Sequence, residues 1–162
     1  MELRTDKIRA CFDRKIGNFT ELWNLSTNTN YVRCAPRDPL IELYGLKNGE
    51  RVKLSGHISD VAEAPDALIL SYDSFGEYDI SAKVTCRCEQ DRLVFSAEIC
   101  NHSTIDVTEI LMPHLGGIYL GNGQKDYLIY PHHAGDKTED PVYNYAENRM
   151  TFWRGCSVPF ED

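Results

Sequence analysis

The sequence predicts an all-β fold, an antiparallel β-sandwich with little helix, and three observations carry that expectation. Apolar residues recur with period two along most of the chain, as half-buried strands require. Gly, Pro and Asn-rich breaks separate these runs at short spacing, the pattern of a sandwich or barrel. No window sustains an apolar stripe of helical period over about ten residues with a good cap.

The elements follow in order. Ile8, Ala10 and Phe12 alternate with Arg9 and Cys11, Gly17 breaks the chain, and Phe19 to Leu25 reads as a returning strand. A helical turn near Thr20 to Leu25 is the competing assignment there. Ser26 to Asn30 is polar and turn-rich. Pro39 to Tyr44 and Arg51 to Ile58 are two further strands around Lys47-Asn48-Gly49-Glu50. Asn-Gly is a strong hairpin signal because both residues tolerate positive φ. The loop Glu63-Ala64-Pro65-Asp66 leads into a strand over Ala67 to Tyr72.

The clearest element is a long amphipathic hairpin. Ile80, Ala82, Val84, Cys86 and Cys88 share one face, and Leu93, Phe95, Ala97 and Ile99 repeat the pattern beyond a turn at Glu89-Gln90-Asp91. Ser81, Lys83, Thr85 and Arg87 face the other way, giving one core face and one polar face. Ile105 to Met112 continues as a strand that Pro113 closes, and Tyr127 to Tyr130 is a short strand ended by Pro131.

Composition limits the function classes. The 162 residues fit a single domain, 1–162, and the expectation includes its being cut from a larger multidomain protein. A net charge of -8 repels phosphate backbones and anionic lipid, which argues against nucleic acid and membrane partners. No apolar run approaches the roughly 18 residues of a membrane span. The charged N-terminus lacks an apolar signal core, so a cytoplasmic location is expected, or a secreted one if an upstream signal has been removed. Six cysteines, Cys11, Cys34, Cys86, Cys88, Cys100 and Cys156, are spaced unlike a dense disulfide framework and are expected to be reduced. Sequons occur at Asn18, Asn24 and Asn101, a pattern too short to overturn that expectation.

The candidate ligand-binding residues are Tyr127, His132, His133, Asp136 and Tyr143. Two histidines, an acid and two aromatics in and around a loop have the chemistry for a sugar or a metal. Adjacent histidines on extended chain point opposite ways, however, and would not share one metal, and a solvated loop is the plainer assignment. Cys86-Arg87-Cys88 supplies only two of the four ligands zinc wants, so its thiols are assigned to the core. The segment Met112-Pro113-His114-Leu115-Gly116-Gly117-Ile118 lacks the Lys-Ser/Thr and following helix of a phosphate loop and reads as a strand connection. Carboxylates are abundant, but the sequence selects no pair among them for glycoside hydrolysis. No catalytic residue, metal ligand or cofactor is assigned.

The stretch Leu93-Val94-Phe95, Ile99-Cys100-Asn101-His102-Ser103, Val107-Thr108-Glu109-Ile110, Met112-Pro113 and Leu128-Ile129-Tyr130-Pro131 with Gly135 resembles a known family. It is similar to the galactose-mutarotase-like β-sandwich, the N-terminal supersandwich of large glycoside hydrolases of the endo-α-N-acetylgalactosaminidase type. There a strand ends in an Asn-x-Ser turn, the next reaches a Pro, and a later one delivers a Tyr/Pro-rich loop. The resemblance implies a non-catalytic support module for a carbohydrate-active enzyme, with the catalytic acids on an adjoining barrel domain of the same parent chain. A carbohydrate-binding module and a small mutarotase-like sugar epimerase are the alternatives. The two histidines and glutamate of the mutarotase enzymes have no residue-by-residue match here.

Overall fold

The structure, a computed structural model, describes residues 1–32, 34 and 36–115, together with two strands at Tyr127–Tyr130 and Asp136–Glu139. The chain divides into two units, Met1–Tyr119 and Leu120–Asp162. The fold is all-β and antiparallel, with no helix among the described residues.

The first unit opens with a meander. Strands β1 (Glu2–Arg4), β2 (Ile8–Phe12), β3 (Phe19–Asn24) and β4 (Thr29–Asn30) lie side by side in chain order. The β2–β3 connection is fixed by Asp13. Its Oδ1 accepts the N–H groups of Lys15 (2.7 Å) and Ile16 (3.1 Å), and its carbonyl accepts that of Gly17 (3.0 Å). Gly17 sits at φ +71°, where an added Cβ would lie 2.5 Å from Leu70 Cδ1. A side chain is therefore excluded both by backbone handedness and by space.

Strands β5 (Glu42–Lys47) and β6 (Glu50–Leu54) form the expected hairpin. Asn48 and Gly49 both have positive φ, 55° and 80°, the backbone of a type I′ turn. Strands β7 (Asp60–Glu63), β8 (Ala67–Tyr72), β9 (Ile80–Glu89) and β10 (Arg92–Asn101) make a second sheet in the order β10-β9-β8-β7. Strand β11 (Asp106–Leu111) then returns to pair with β5, giving a third sheet in the order β11-β5-β6. The turn before β11 is the Asn-x-Ser type. Asn101 Oδ1 accepts from Ser103 N–H and Oγ–H, and its Nδ2 donates to Ile105 O at 2.8 Å.

All three sheets feed one core. Leu3, Phe12 and Phe19 come from the first, Leu43 and Leu54 from the β5–β6 hairpin, and Leu70, Tyr72, Ile80 and Val84 from the sheet of β8 and β9. The arrangement is sandwich-like, with Phe19 of β3 edge-on to Phe95 of β10 at 6.1 Å. The period-two expectation for the long hairpin holds on β9, where Ile80, Ala82, Val84, Cys86 and Cys88 are all buried. On β10 the matching row, Leu93, Phe95, Ala97 and Ile99, is only half-buried.

Several boundaries differ from expectation for identifiable reasons. Leu40 and Ile41 are buried but precede β5, because the backbone of Leu40 bonds to Ile16 O (3.0 Å) and to His114 N–H (2.8 Å) rather than to a ladder. Strand β6 stops at Leu54, and Gly56 instead bridges to Phe75, whose ring lies where a Cβ would stand (2.6 Å). The segment after Phe19 is strand, not a helical turn. The short strands β1, β4 and β7 were not expected.

In the second unit, β12 (Tyr127–Tyr130) coincides with the expected strand and pairs antiparallel with β13 (Asp136–Glu139). Asp136, expected in a loop, begins β13 opposite Tyr130. Pairing of main-chain groups needs no apolar alternation, so the polar run Asp136-Lys137-Thr138-Glu139 forms a strand without the period-two signal.

Candidate functional site

Of the residues expected to bind a ligand, Tyr127 and Asp136 lie at diagonally opposite corners of the β12–β13 hairpin, since Tyr127 pairs with Glu139 and Asp136 with Tyr130. His132, His133 and Tyr143 lie outside the described residues. Cys86 and Cys88 are both buried, in keeping with their assignment to the core. Burial pushes the Cys86 thiol up to about 12, and it raises that of Cys88 as well. None of the five described cysteines is bonded to another. Asn18, the first sequon, is fully buried and donates Nδ2–H to Asp38 O (2.9 Å) and His114 O (2.8 Å), so its amide is committed to the fold.

The described residues line an open cavity of about 400 Å³ in the first unit. Its apolar wall is Ile8 of β2, Phe19 and Leu22 of β3, Leu93 and Phe95 of β10, and Leu115. Tyr31 adds aromatic surface, and Lys7, Asn24, Ser26, Asp91 and Arg92 supply the polar groups; Trp23 borders the space, but its indole lies on the other face of β3 with Arg9 and Glu21. Two contacts hold this end together. Thr5 Oγ1 donates to Gln90 O at 2.8 Å, and Lys7 Nζ lies 3.8 Å from Asp91 Oδ2. The turn before β2 is thereby tied to the turn between β9 and β10, so two hairpins distant in sequence form one opening.

Trp23 is held in place from its other side. Its Nε1–H donates to Glu21 Oε2 at 2.7 Å, the same carboxylate pairs with Arg9, and the Arg9 guanidinium stands 5.4 Å from the indole centroid. The bonds from Trp23 and Arg9 hold the Glu21 carboxyl below its ordinary range. The indole is therefore committed to the Arg9–Glu21 face of the sheet, opposite Ile8 and Leu22.

A second polar cluster is built around Glu42 on β5. Its side chain is 2% exposed and pairs with Lys53. Tyr44 O–H donates to it at 3.0 Å, and His114 Nδ1 lies 3.6 Å away. Burial alone would raise the Glu42 pKa, but the bonds from Lys53 and Tyr44 outweigh it and hold the carboxyl below its ordinary range. An ionised, enclosed and fully partnered carboxylate is a weak base with no room for a substrate, so the cluster is structural. The sequence places His114 in a strand connection, which agrees with its backbone bonds to Leu40 and Asn18, and names it with His57 and His102 as a histidine that folding could bring to Cys86 and Cys88; among the described residues no such cluster forms.

Among the described residues no group of three or more His, Cys, Asp or Glu side chains is placed to hold a metal ion, and no helix is long and apolar enough to cross a membrane. The class these features define is an antiparallel all-β protein with an apolar cavity opening between two hairpins. No protein-family model matches the chain, nor does any curated protein or solved structure.

Proposed function

We propose that the Met1–Tyr119 unit is a non-catalytic binding module whose ligand seats an apolar ring or chain in the cavity and keeps a polar or anionic end beside Lys7 and Arg92. The observation that carries this is the cavity itself. About 400 Å³ of largely apolar space with a few polar groups at its opening falls within the ~300–1,000 Å³ of small-molecule sites. Burial of a ring face supplies the affinity, and the cations orient the polar end. A second reading is carbohydrate binding, favoured by Tyr31 standing with Asn24 and Asp91 around the same space. Aromatics there would stack on the apolar face of a sugar ring, in keeping with the glycoside hydrolase parent that the sequence resemblance implies.

The experiment is a titration of the full chain with 1-anilinonaphthalene-8-sulfonate, an aromatic anion of suitable size, alongside a thermal-shift panel of simple sugars and mucin-type glycans. The expected result is one saturable site for the aromatic anion, weakened by Lys7→Glu and removed by Leu93→Trp, which fills the cavity. A ligand at 100 times its dissociation constant adds about 2.7 kcal/mol, a shift of roughly 5–11 °C for a chain of this size. A sugar-specific shift lost in Tyr31→Ala selects the carbohydrate reading. A flat response from cooperatively folded protein overturns both and leaves the support role beside a catalytic barrel as the function to test.

A further inference from the structure

Among the described residues strand β10 forms one edge of the second sheet, and it differs from the opposite edge in a way that matters. Strand β7 is four residues long and carries Asp60 and Glu63, the short charged edge that proteins use to discourage pairing. Strand β10 is ten residues long, without proline, and its register with β9 runs from Arg92 to Asn101 without a shift. A long, regular edge is a template for a further strand.

The pairing pattern shows which groups are on offer. Gln90-Asp91 is a two-residue turn, so Glu89 and Arg92 are a hydrogen-bonded pair. Arg92, Val94, Ser96, Glu98 and Cys100 therefore direct their backbone groups to β9. Leu93, Phe95, Ala97 and Ile99 turn theirs outward, and among the described residues no main-chain bond outside the ladders takes them. The side chains of these same four residues are half-buried, whereas their β9 partners Cys88, Cys86, Val84 and Ala82 are buried. Among the described residues the outward backbone groups of β10 thus have no partner strand, and its apolar row is only partly covered.

We propose that this edge is a self-association surface, on which β10 of a second copy pairs antiparallel about a two-fold axis through Phe95. The occupant follows from self-complementarity. Outward-facing residues must oppose outward-facing residues, which restricts the register to steps that preserve parity. Centred on Phe95, the pairing sets Phe95 against Phe95, Leu93 against Ala97, and Arg92 against Glu98 of the second copy. The two-fold repeats each of these, so two opposite-charge pairs flank an aromatic pair, each a favourable cross-strand combination. Moving the axis one residue along, to Ser96, places Val94 against Glu98 and Arg92 against Cys100 and loses both charge pairs. The isologous pairing closes at two copies and joins the two sheets into one. It shares Arg92, Leu93 and Phe95 with the cavity, but Ala97 and Glu98 lie outside the cavity lining, so substitutions there separate a failure of this proposal from a failure of the ligand reading.

The test is sedimentation velocity on the full chain from micromolar to several hundred micromolar, in about 150 mM salt. The expected result is a monomer–dimer equilibrium. Ala97→Pro removes an outward N–H that the β9 ladder does not use, which an edge strand tolerates; it should give a monomer with an unchanged circular dichroism spectrum. Glu98→Arg puts like charges opposite one another and should raise the dissociation constant roughly tenfold or more. Adding Arg92→Glu to Glu98→Arg reverses both charges and should restore the dimer. A wild type that stays monomeric throughout, or a dimer that Glu98→Arg leaves unchanged, overturns the proposal.

Discussion

Replacing Asn18 with Ala should cost the fold more than any loss of side-chain volume would suggest. Asn18 is fully buried between the β2–β3 turn and the segments at Asp38 and His114. Its amide donates both hydrogens, at 2.9 Å to Asp38 O and 2.8 Å to His114 O, while Oδ1 accepts Phe19 N–H at 2.8 Å. Alanine removes both donors and leaves two enclosed carbonyls unpaired. Each unsatisfied buried group costs about 1–3 kcal/mol, so the loss should total about 2–6 kcal/mol. Asn18→Asp should cost more at neutral pH, because a carboxylate oxygen would then face a carbonyl oxygen. Equilibrium urea unfolding followed by tryptophan fluorescence measures both. The reasoning also predicts faster hydrogen exchange at the His114 amide, which donates to Leu40 O at 2.8 Å and shares the tether. A loss below about 1 kcal/mol for Asn18→Ala, with unchanged exchange at His114, would refute the argument that a buried hydrogen-bond hub binds these segments together.

Two other perturbations test the remaining fold logic. The Glu42 carboxyl is held below its ordinary range by Lys53 and Tyr44, so the pair stabilises the fold fully above the unfolded carboxyl pKa of about 4.3. That contribution disappears as pH falls through the depressed folded value, because the unfolded chain then binds the proton more readily. Glu42→Gln should therefore flatten the acid limb of a stability profile measured by urea unfolding between pH 7 and pH 3. Gly17→Ala and Gly49→Ala form a matched comparison, since both positions have positive φ, 71° and 80°. Gly49→Ala meets nothing within 4 Å and should cost only the left-handed backbone term, about 1–2 kcal/mol. Gly17→Ala adds the clash with Leu70 and should lower the melting temperature clearly further; equal losses would show that the packing against Leu70 is slack.

The elements legible in the sequence were those whose side chains carry the folding signal. Strand β9 alternates apolar and polar through its whole length, and Asn48-Gly49 announces its turn by residue type. Strands β1, β4 and β13 are held by main-chain pairing over two to four residues, too short or too polar for a period to register. The cavity was illegible for a different reason. Its walls come from β2, β3 and β10, and no local motif joins Trp23 or Tyr31 to Leu93; only the packing of one sheet on another does so. The loop around His132 and His133 drew attention because its chemistry is concentrated locally, whereas the cavity assembles ordinary core-type residues from distant places. The half-buried row on β10 was equally hidden, since the sequence gives it the same alternation as the fully buried row on β9.

The burial of Cys86 has a use beyond packing. Its thiol is 1% exposed and pushed up to about 12, so in the closed sheet almost none of it is the reactive thiolate. Cys34 and Cys100 are exposed and stand ready to react at once. A thiol-directed reagent applied to the native chain will therefore label Cys34 and Cys100 first, and Cys86, like its buried neighbour Cys88, only during moments when the central strand opens. The protein carries its own clock for core breathing: each Cys86 modified counts one excursion out of the native state, read without denaturant, label engineering or knowledge of any ligand.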